Sequence, residues 1–374
     1  MCICPIDAWR LTEDFEDVMT SDLRASYILP QITQNWLPKL LFANNIRKIP
    51  YWLKGYYEHV VIPCGKCIEC KLKHSKMWSL RCVHEAQYHR DSCFLTVTYN
   101  EDSVPLNNGV RTLCYSDIQK FLKLLRKYIN NSKIRYFRLH NIPYDKDKDY
   151  VKIRYFCSSE YGTQGTIRPH YHLIIFGWCP RPKQLVLWNY GKSGMPNYRC
   201  FALERFCWKN KDNKSKGMIV VGSATRQSAG YIARYTLEKA YVRPDDFYKF
   251  REKEGIRMSR RNGLGENYIK ENFDNVFRLG FINLCEGNKI FRYAIPRFYK
   301  KWLQKNFPER YELLKAYFKQ KALECEEMFH DFVKTLSVPI YKVLMNKHLY
   351  YKHIVTKLKR NFASDFLSSC KINS

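Results

Sequence analysis

The chain has 374 residues, 45% of them hydrophobic, and its 64 Lys and Arg against 35 Asp and Glu give a formal charge of +29. Enough apolar surface is available to bury, which excludes a disordered tail. So positive a field gathers polyanions and releases counterions from their phosphates, which makes nucleic acid the expected partner. A membrane is not expected, because apolar runs such as LIIFGWC fall far short of the about 18 residues that cross a bilayer.

Residues 1–62 show no periodicity and are expected to form an irregular, aromatic-rich N-terminal region. The opening MCICPIDAWRLTEDFED has neither a basic n-region nor an apolar h-region, so no secretion signal is expected. Fifteen cysteines in such a chain imply a reducing cytoplasm, with thiols free or on metal. Most are scattered and are expected to be small buried hydrophobes. PCGKCIECKLKH is different, because Cys64, Cys67 and Cys70 stand at C-x-x-C-x-x-C, a spacing that random placement gives only about 0.02 times. C-x-x-C brings two thiolates to one tetrahedral zinc, and Gly65 permits the turn between them. Cys2, Cys4, His74 or Cys82 is the candidate fourth ligand; free thiols at a helix start are the alternative. Residues 63–90 read as a Cys-rich helical module with Lys71, Lys73, Lys76 and Arg81 on a basic surface, either simply solvated or facing DNA.

FLTVTYN, 94–100, alternates and is β-branched, so it is a strand. Ser116 and Gln119 have capping-box spacing for a helix whose apolar face is Ile118, Phe121, Leu122, Leu125 and Tyr128. VKIRYFCSSEYG is a strand ending at Glu160, followed by a short Gly-containing loop and IRPHYHLIIFG. Two such strands read as an antiparallel pair. Alternate strand residues share a face, so His170 and His172 point the same way and Tyr171 points opposite. An H-x-H pair alone decides little, since chance supplies roughly 0.3 of them here. The hairpin, however, brings Glu160 back towards His170 and supplies a third ligand. Two imidazoles and a carboxylate suit Mg²⁺ or Mn²⁺. SATRQSAGYIARYTLEKA, 223–240, is helical, with Tyr231, Tyr235 and Lys239 at i, i+4 and i+8; by itself that stripe is equally a core face. Residues 246–374 read as basic and mainly helical, ending in a loose tail. No P-loop is present, so no ATPase motor is encoded.

Taken together, PCGKCIEC with Trp78, Arg81 and Glu85 behind it, FLTVTYN, EYGTQGTIRPHYHLIIFG, GYIARYTLEKA, MSRRNGLGENYI and IPRFYKKWL cover most of residues 63–302. In that order they resemble the replication initiation proteins of the microviruses, especially the gokushovirus branch, within the HUH endonucleases that start rolling-circle replication. The resemblance implies an α+β fold: a central antiparallel sheet with helices on one face, the H-x-H on a middle strand and the tyrosines on a nearby helix. The nuclease core would occupy 91–245, between the Cys-rich module and the helical C-terminal region. It implies a divalent ion held by Glu160, His170 and His172, and a tyrosine that nicks the single-stranded origin, keeps the 5′ end as a phosphotyrosine and rejoins a circle. Tyr231 and Tyr235 would alternate, and Lys239 would activate the phenol or orient the phosphate. Arg168 and Arg234 join Lys71, Lys73 and Arg81 as expected DNA contacts. A host helicase would supply unwinding in the cytoplasm of a bacterial host. Two departures stand out. Relatives often have two lysines after the second tyrosine, where this chain has Glu238 and Lys239, and often a proline where it has Asn262. A plasmid-type relaxase, a small-molecule metal phosphoesterase and a non-catalytic zinc DNA-binding protein are the competing readings.

Overall fold

The computed structural model describes residues 6–11, 40–42, 57–63, 68–162, 167–191, 194–224, 245–286 and 289–335. They divide into two units, Met1–Lys71 and Leu72–Ser374. In the first, β1 (Ile6–Leu11) pairs antiparallel with both β2 (Leu40–Phe42) and β3 (Tyr57–Ile62), and Ala8 and Tyr57 are buried. Residues 1–62 were expected to be irregular; strands whose partners lie tens of residues away leave no hairpin signature to read.

The chain then runs through α1 (Ile68–Ala86), β4 (Ser92–Tyr99), the hairpin β5 (Leu106–Asn107) and β6 (Val110–Arg111), α2 (Tyr115–Leu139) and the single turn α3 (Lys146–Asp149). Next come β7 (Arg154–Tyr161), β8 (Pro169–Phe176), β9 (Val186–Tyr190), β10 (Pro196–Arg199), α4 (Phe201–Phe206), β11 (Gly217–Ser223) and β12 (Ile256–Met258). The remainder is α5 (Glu266–Leu279), the hairpin β13 (Ile282–Glu286) and β14 (Lys289–Tyr293), α6 (Arg297–Asn306) and α7 (Pro308–Thr335). Seven strands form one antiparallel sheet in the order β12-β7-β8-β4-β11-β10-β9.

Alternation in FLTVTY reappears as burial. Cys93, Leu95, Val97 and Tyr99 are buried and the residues between them are half-buried. The buried set joins Tyr171, Leu173 and Ile175 of β8 in a core closed by Ile118, Phe121, Leu122 and Leu125 of α2, with Tyr128 packed at its margin. α2 begins one residue ahead of the expected capping box. Its N-cap is Cys114, which makes no side-chain cap bond, so Ser116 and Gln119 do not form that motif.

Helices on a single face do not describe this sheet. In β8 the run LIIF is buried on both sides, as near-continuous apolar strands require. Ile174 and Phe176 face away from α2, and there Trp78 and Cys82 of α1 cover them together with Phe156 and Leu264. Trp78 stacks at a tilt on Phe156, ring centroids 5.2 Å apart. The expectation that scattered cysteines are small core residues holds for Cys82, Cys93, Cys157, Cys200 and Cys207, all buried free thiols.

The weaker motifs meet in one place. The Arg81 guanidinium lies between the rings of Trp78 and Phe298, 4.3 and 4.4 Å from their centroids, and its Nε donates to the Leu264 carbonyl. Arg81 is therefore buried, not displayed on a basic surface. One turn on, Glu85 accepts the Gly265 N–H that opens α5, 2.8 Å away, as a negative group at a helix N-terminus should. Gly265 is required there: its φ is +76°, and a Cβ would stand 2.2 Å from Tyr299 Oη. Asn262, where relatives carry proline, has φ +53°, which a proline ring cannot adopt.

Candidate metal centre

β7 and β8 form the expected hairpin, and their register decides the site. Glu160 pairs directly with His170, and Ser158 with His172. On the other side of β8, Thr96 of β4 pairs with His172 and Thr98 with His170. Directly paired residues share a face, so the carboxylate and both imidazoles gather on the side of the sheet away from α2. β8 is an inner strand, held by backbone bonds on both flanks, as the resemblance implied for the H-x-H.

Both Nε2 atoms point at one carboxylate oxygen. His172 Nε2 lies 3.1 Å from Glu160 Oε1, and His170 Nε2 contacts the same oxygen. The far nitrogens are anchored: His170 Nδ1 is 3.1 Å from the Arg168 carbonyl and His172 Nδ1 is 3.0 Å from Thr96 Oγ1. A carbonyl can only accept, so His170 carries its proton on Nδ1 and presents the Nε2 lone pair. A lone pair facing a carboxylate oxygen calls for a cation between them, either a proton on the ring or a metal. The ring of His172 is further fixed by Phe94, which stacks at 5.7 Å. Such outer anchors orient a ligand histidine, and Thr96 and Phe94 are the part of the site that motif spacing did not reveal.

The three ligand atoms lie within 4.8 Å of one another, a donor set of two nitrogens and one oxygen that fits a divalent ion. Glu160 and His172 are buried, and His170 is the member that meets solvent, so access is from its side. Burial alone would raise the Glu160 carboxyl. The two imidazole contacts outweigh it and hold the group well below the usual carboxylate range, so it is ionised and ready to bind.

The other expected residues are placed less completely. Arg168 sits beside the centre, its guanidinium bonded to the Tyr99 carbonyl at 3.1 Å and to Glu101 at 2.6 Å. Lys71 and Lys73 lie in α1, with Lys73 exposed, and Cys70 is half-buried in its first turn. Tyr231, Arg234, Tyr235, Lys239, Cys64 and Cys67 lie outside the described residues.

An antiparallel sheet with a histidine–carboxylate cluster on an inner strand defines a metal-binding α+β protein. A family model described as replication-associated protein ORF2 matches residues 92–240, the stretch that holds the cluster. The chain is 28% identical over 272 residues to the replication-associated protein ORF2 of Spiroplasma virus 4, covering 72% of this chain and 75% of that protein. It is 28% identical over 266 residues to the replication-associated protein VP4 of Bdellovibrio phage phiMH2K, covering 71% and 75%. It is 28% identical over 287 residues to the replication-associated protein ORF4 of Chlamydia phage 1, covering 74% and 64%. These matches bear out the resemblance read from the sequence and place the chain among microvirus-type replication-associated proteins. No solved structure matches it. No helix among the described residues is long and apolar enough to cross a membrane.

Proposed function

We propose that this protein is an HUH-type nicking and joining endonuclease that initiates rolling-circle replication on a single-stranded origin. The observation that carries the reading is the convergence of Glu160, His170 and His172 inside the segment shared with replication-associated proteins. A bound Mg²⁺ or Mn²⁺ supplies Lewis acidity to a phosphodiester oxygen. The phenol oxygen of Tyr231 or Tyr235 attacks phosphorus, the bond to the 3′ oxygen breaks, and that oxygen takes up a proton. The 5′-phosphotyrosine keeps the energy of the diester, so rejoining needs no nucleotide. Lys239 stabilises the phenolate or orients the phosphate. Arg168, Arg234 and the lysines of α1 contribute to DNA binding, a host helicase unwinds, and the host cytoplasm is the site of action. Cys64, Cys67 and Cys70 hold one structural zinc per chain, which elemental analysis of protein purified without chelator should find.

A plasmid-type relaxase is the nearest alternative, but there the tyrosine precedes the histidines, and here Tyr231 and Tyr235 both follow them. The test is an SDS-stable protein–DNA adduct formed with single-stranded oligonucleotides and Mn²⁺. Tyr231→Phe and Tyr235→Phe should each still make a first cut, and the double variant should make none while still binding DNA. No adduct from native protein in either metal, or an undiminished adduct from the double variant, would sink the reading. A zinc repressor would give binding alone.

A further inference from the structure

The sheet face that carries His170 and His172 continues beyond β4. The pairs His172↔Thr96, Thr96↔Val220 and Val220↔Arg199 run as one row from β8 across β4 and β11 to β10. Three strand spacings separate the ends of that row, about 14 Å. Thr96, Val220 and Arg199 are half-buried, whereas Leu95, Val97 and Val221, which point the other way, are buried in the core against α2.

At the far end Arg199 lies against two rings, its guanidinium 5.6 Å from the centroid of Trp188 and 4.5 Å from that of Phe201. Two bonds to Glu204, of 2.8 and 3.0 Å, fix the guanidinium, and Glu204 is itself buried and accepts the Ile219 N–H. The arginine is thus matched in charge and held as a flat plate between aromatics. Beside it β9, the edge strand, is exposed at every position. Trp188 and Phe201 are each 50% exposed and Tyr190 is 66% exposed. An uncovered edge with apolar rings invites a partner.

Local charge selects which partner. Residues 178–217 hold nine Lys and Arg against two Asp and Glu, a net +7 by subtraction. A second copy would set that charge against itself. A single nucleic-acid strand brings phosphates to the cations and flat bases to the rings. We propose that the β9–β10 hairpin, through Trp188, Phe201 and the plate of Arg199, is a stacking platform for single-stranded DNA flanking the phosphate at the metal centre. This rests on the nuclease reading above. Stacking is tolerant of sequence because every base has a π-face, so the platform holds the strand without choosing the origin.

The experiment uses the full chain and a fluorescent oligothymidine of about 20 nucleotides, long enough to cross the row. Trp188→Ala and Phe201→Ala should each weaken binding roughly five- to a hundredfold. The slope of affinity against salt should stay the same, because no phosphate contact is lost. Trp188→Phe, which keeps a ring, should recover most of the affinity. Unchanged affinity in both alanine variants, or Trp188→Phe as weak as Trp188→Ala, overturns the platform. So does a native dimer in sedimentation that Trp188→Ala dissolves, which would assign the face to a second copy. Adduct formation by native protein is scored separately: adduct with unchanged binding sinks the platform alone, and ring-dependent binding without adduct sinks the nuclease reading alone.

Discussion

Glu85 and Glu160 are buried alike, 3% and 2% exposed, and in each burial is outweighed by bonds that hold the carboxyl below its ordinary range. Glu85 is met by a backbone N–H from Gly265, by Arg154 Nε at 3.0 Å and by His89. Glu160 is met by two imidazoles. A guanidinium cannot give up its proton, and a backbone amide cannot move, so Glu85 is locked into the fold. An imidazole can release its proton and turn a lone pair to a metal, so Glu160 sits in a site that exchanges partners. Burial does not separate the structural carboxylate from the functional one; the chemistry of its partners does.

The largest effect that would break this contrast is at the histidines. His170→Ala and His172→Ala should each abolish adduct formation while DNA binding stays within a few-fold, because binding rests on many phosphates and cleavage on one ion. Native cleavage rates in either variant, at saturating metal, would show that the cluster is not the metal centre. Next is Glu85→Ala, which strips the buried partner from Arg154 and Gly265. A loss of about 3 kcal/mol is expected, near the low end for a broken buried pair because Arg154 keeps some contact with water. Urea unfolding reads it, and metal affinity of the folded fraction should not change. Stability unaltered in Glu85→Ala would remove the structural half of the comparison.

The smallest effect concerns an imidazole from the structural region. His84 is fully buried, bonded through Nδ1 to Tyr299 Oη at 2.9 Å and stacked on Tyr268, and burial pushes its pKa down to about 3. The unfolded chain takes up that proton near pH 6.5, about where a free imidazole titrates. Between those values the unfolded state binds more protons, so stability is full above about 6.5 and falls as pH drops towards 3. The slope is at most about 1.4 kcal/mol per pH unit. His84→Gln should flatten that limb when urea midpoints are compared at pH 7, 6 and 5. Parallel curves for the two proteins would mean that His84 does not titrate there.

What was legible in the sequence was local. The alternation of FLTVTY, the H-x-H and the short loop after Glu160 were enough to bring Glu160 opposite His170, because register follows from a hairpin a few residues long. Contacts across long separations were not legible. Arg81 reads as one more surface cation, and its cover comes from Leu264 and Phe298 far along the chain. The stretch 178–217 reads as irregular and basic, although it supplies two edge strands and a helix, because a strand exposed at every position shows no alternation. Insertion of β4 between β8 and β11 is equally silent, since no sequence signal ranks strands across a sheet.

The register of β8 has a further consequence. His170 and His172 face the metal while Tyr171 and Leu173, between and after them, face the core. A slip of one residue would turn the imidazoles into the apolar layer under α2 and push Tyr171 and Leu173 towards water. A chain that loses its metal site by mispairing this strand therefore also loses its core. Cellular proteolysis, which removes unfolded chains, would clear such molecules before they could occupy an origin as inactive competitors.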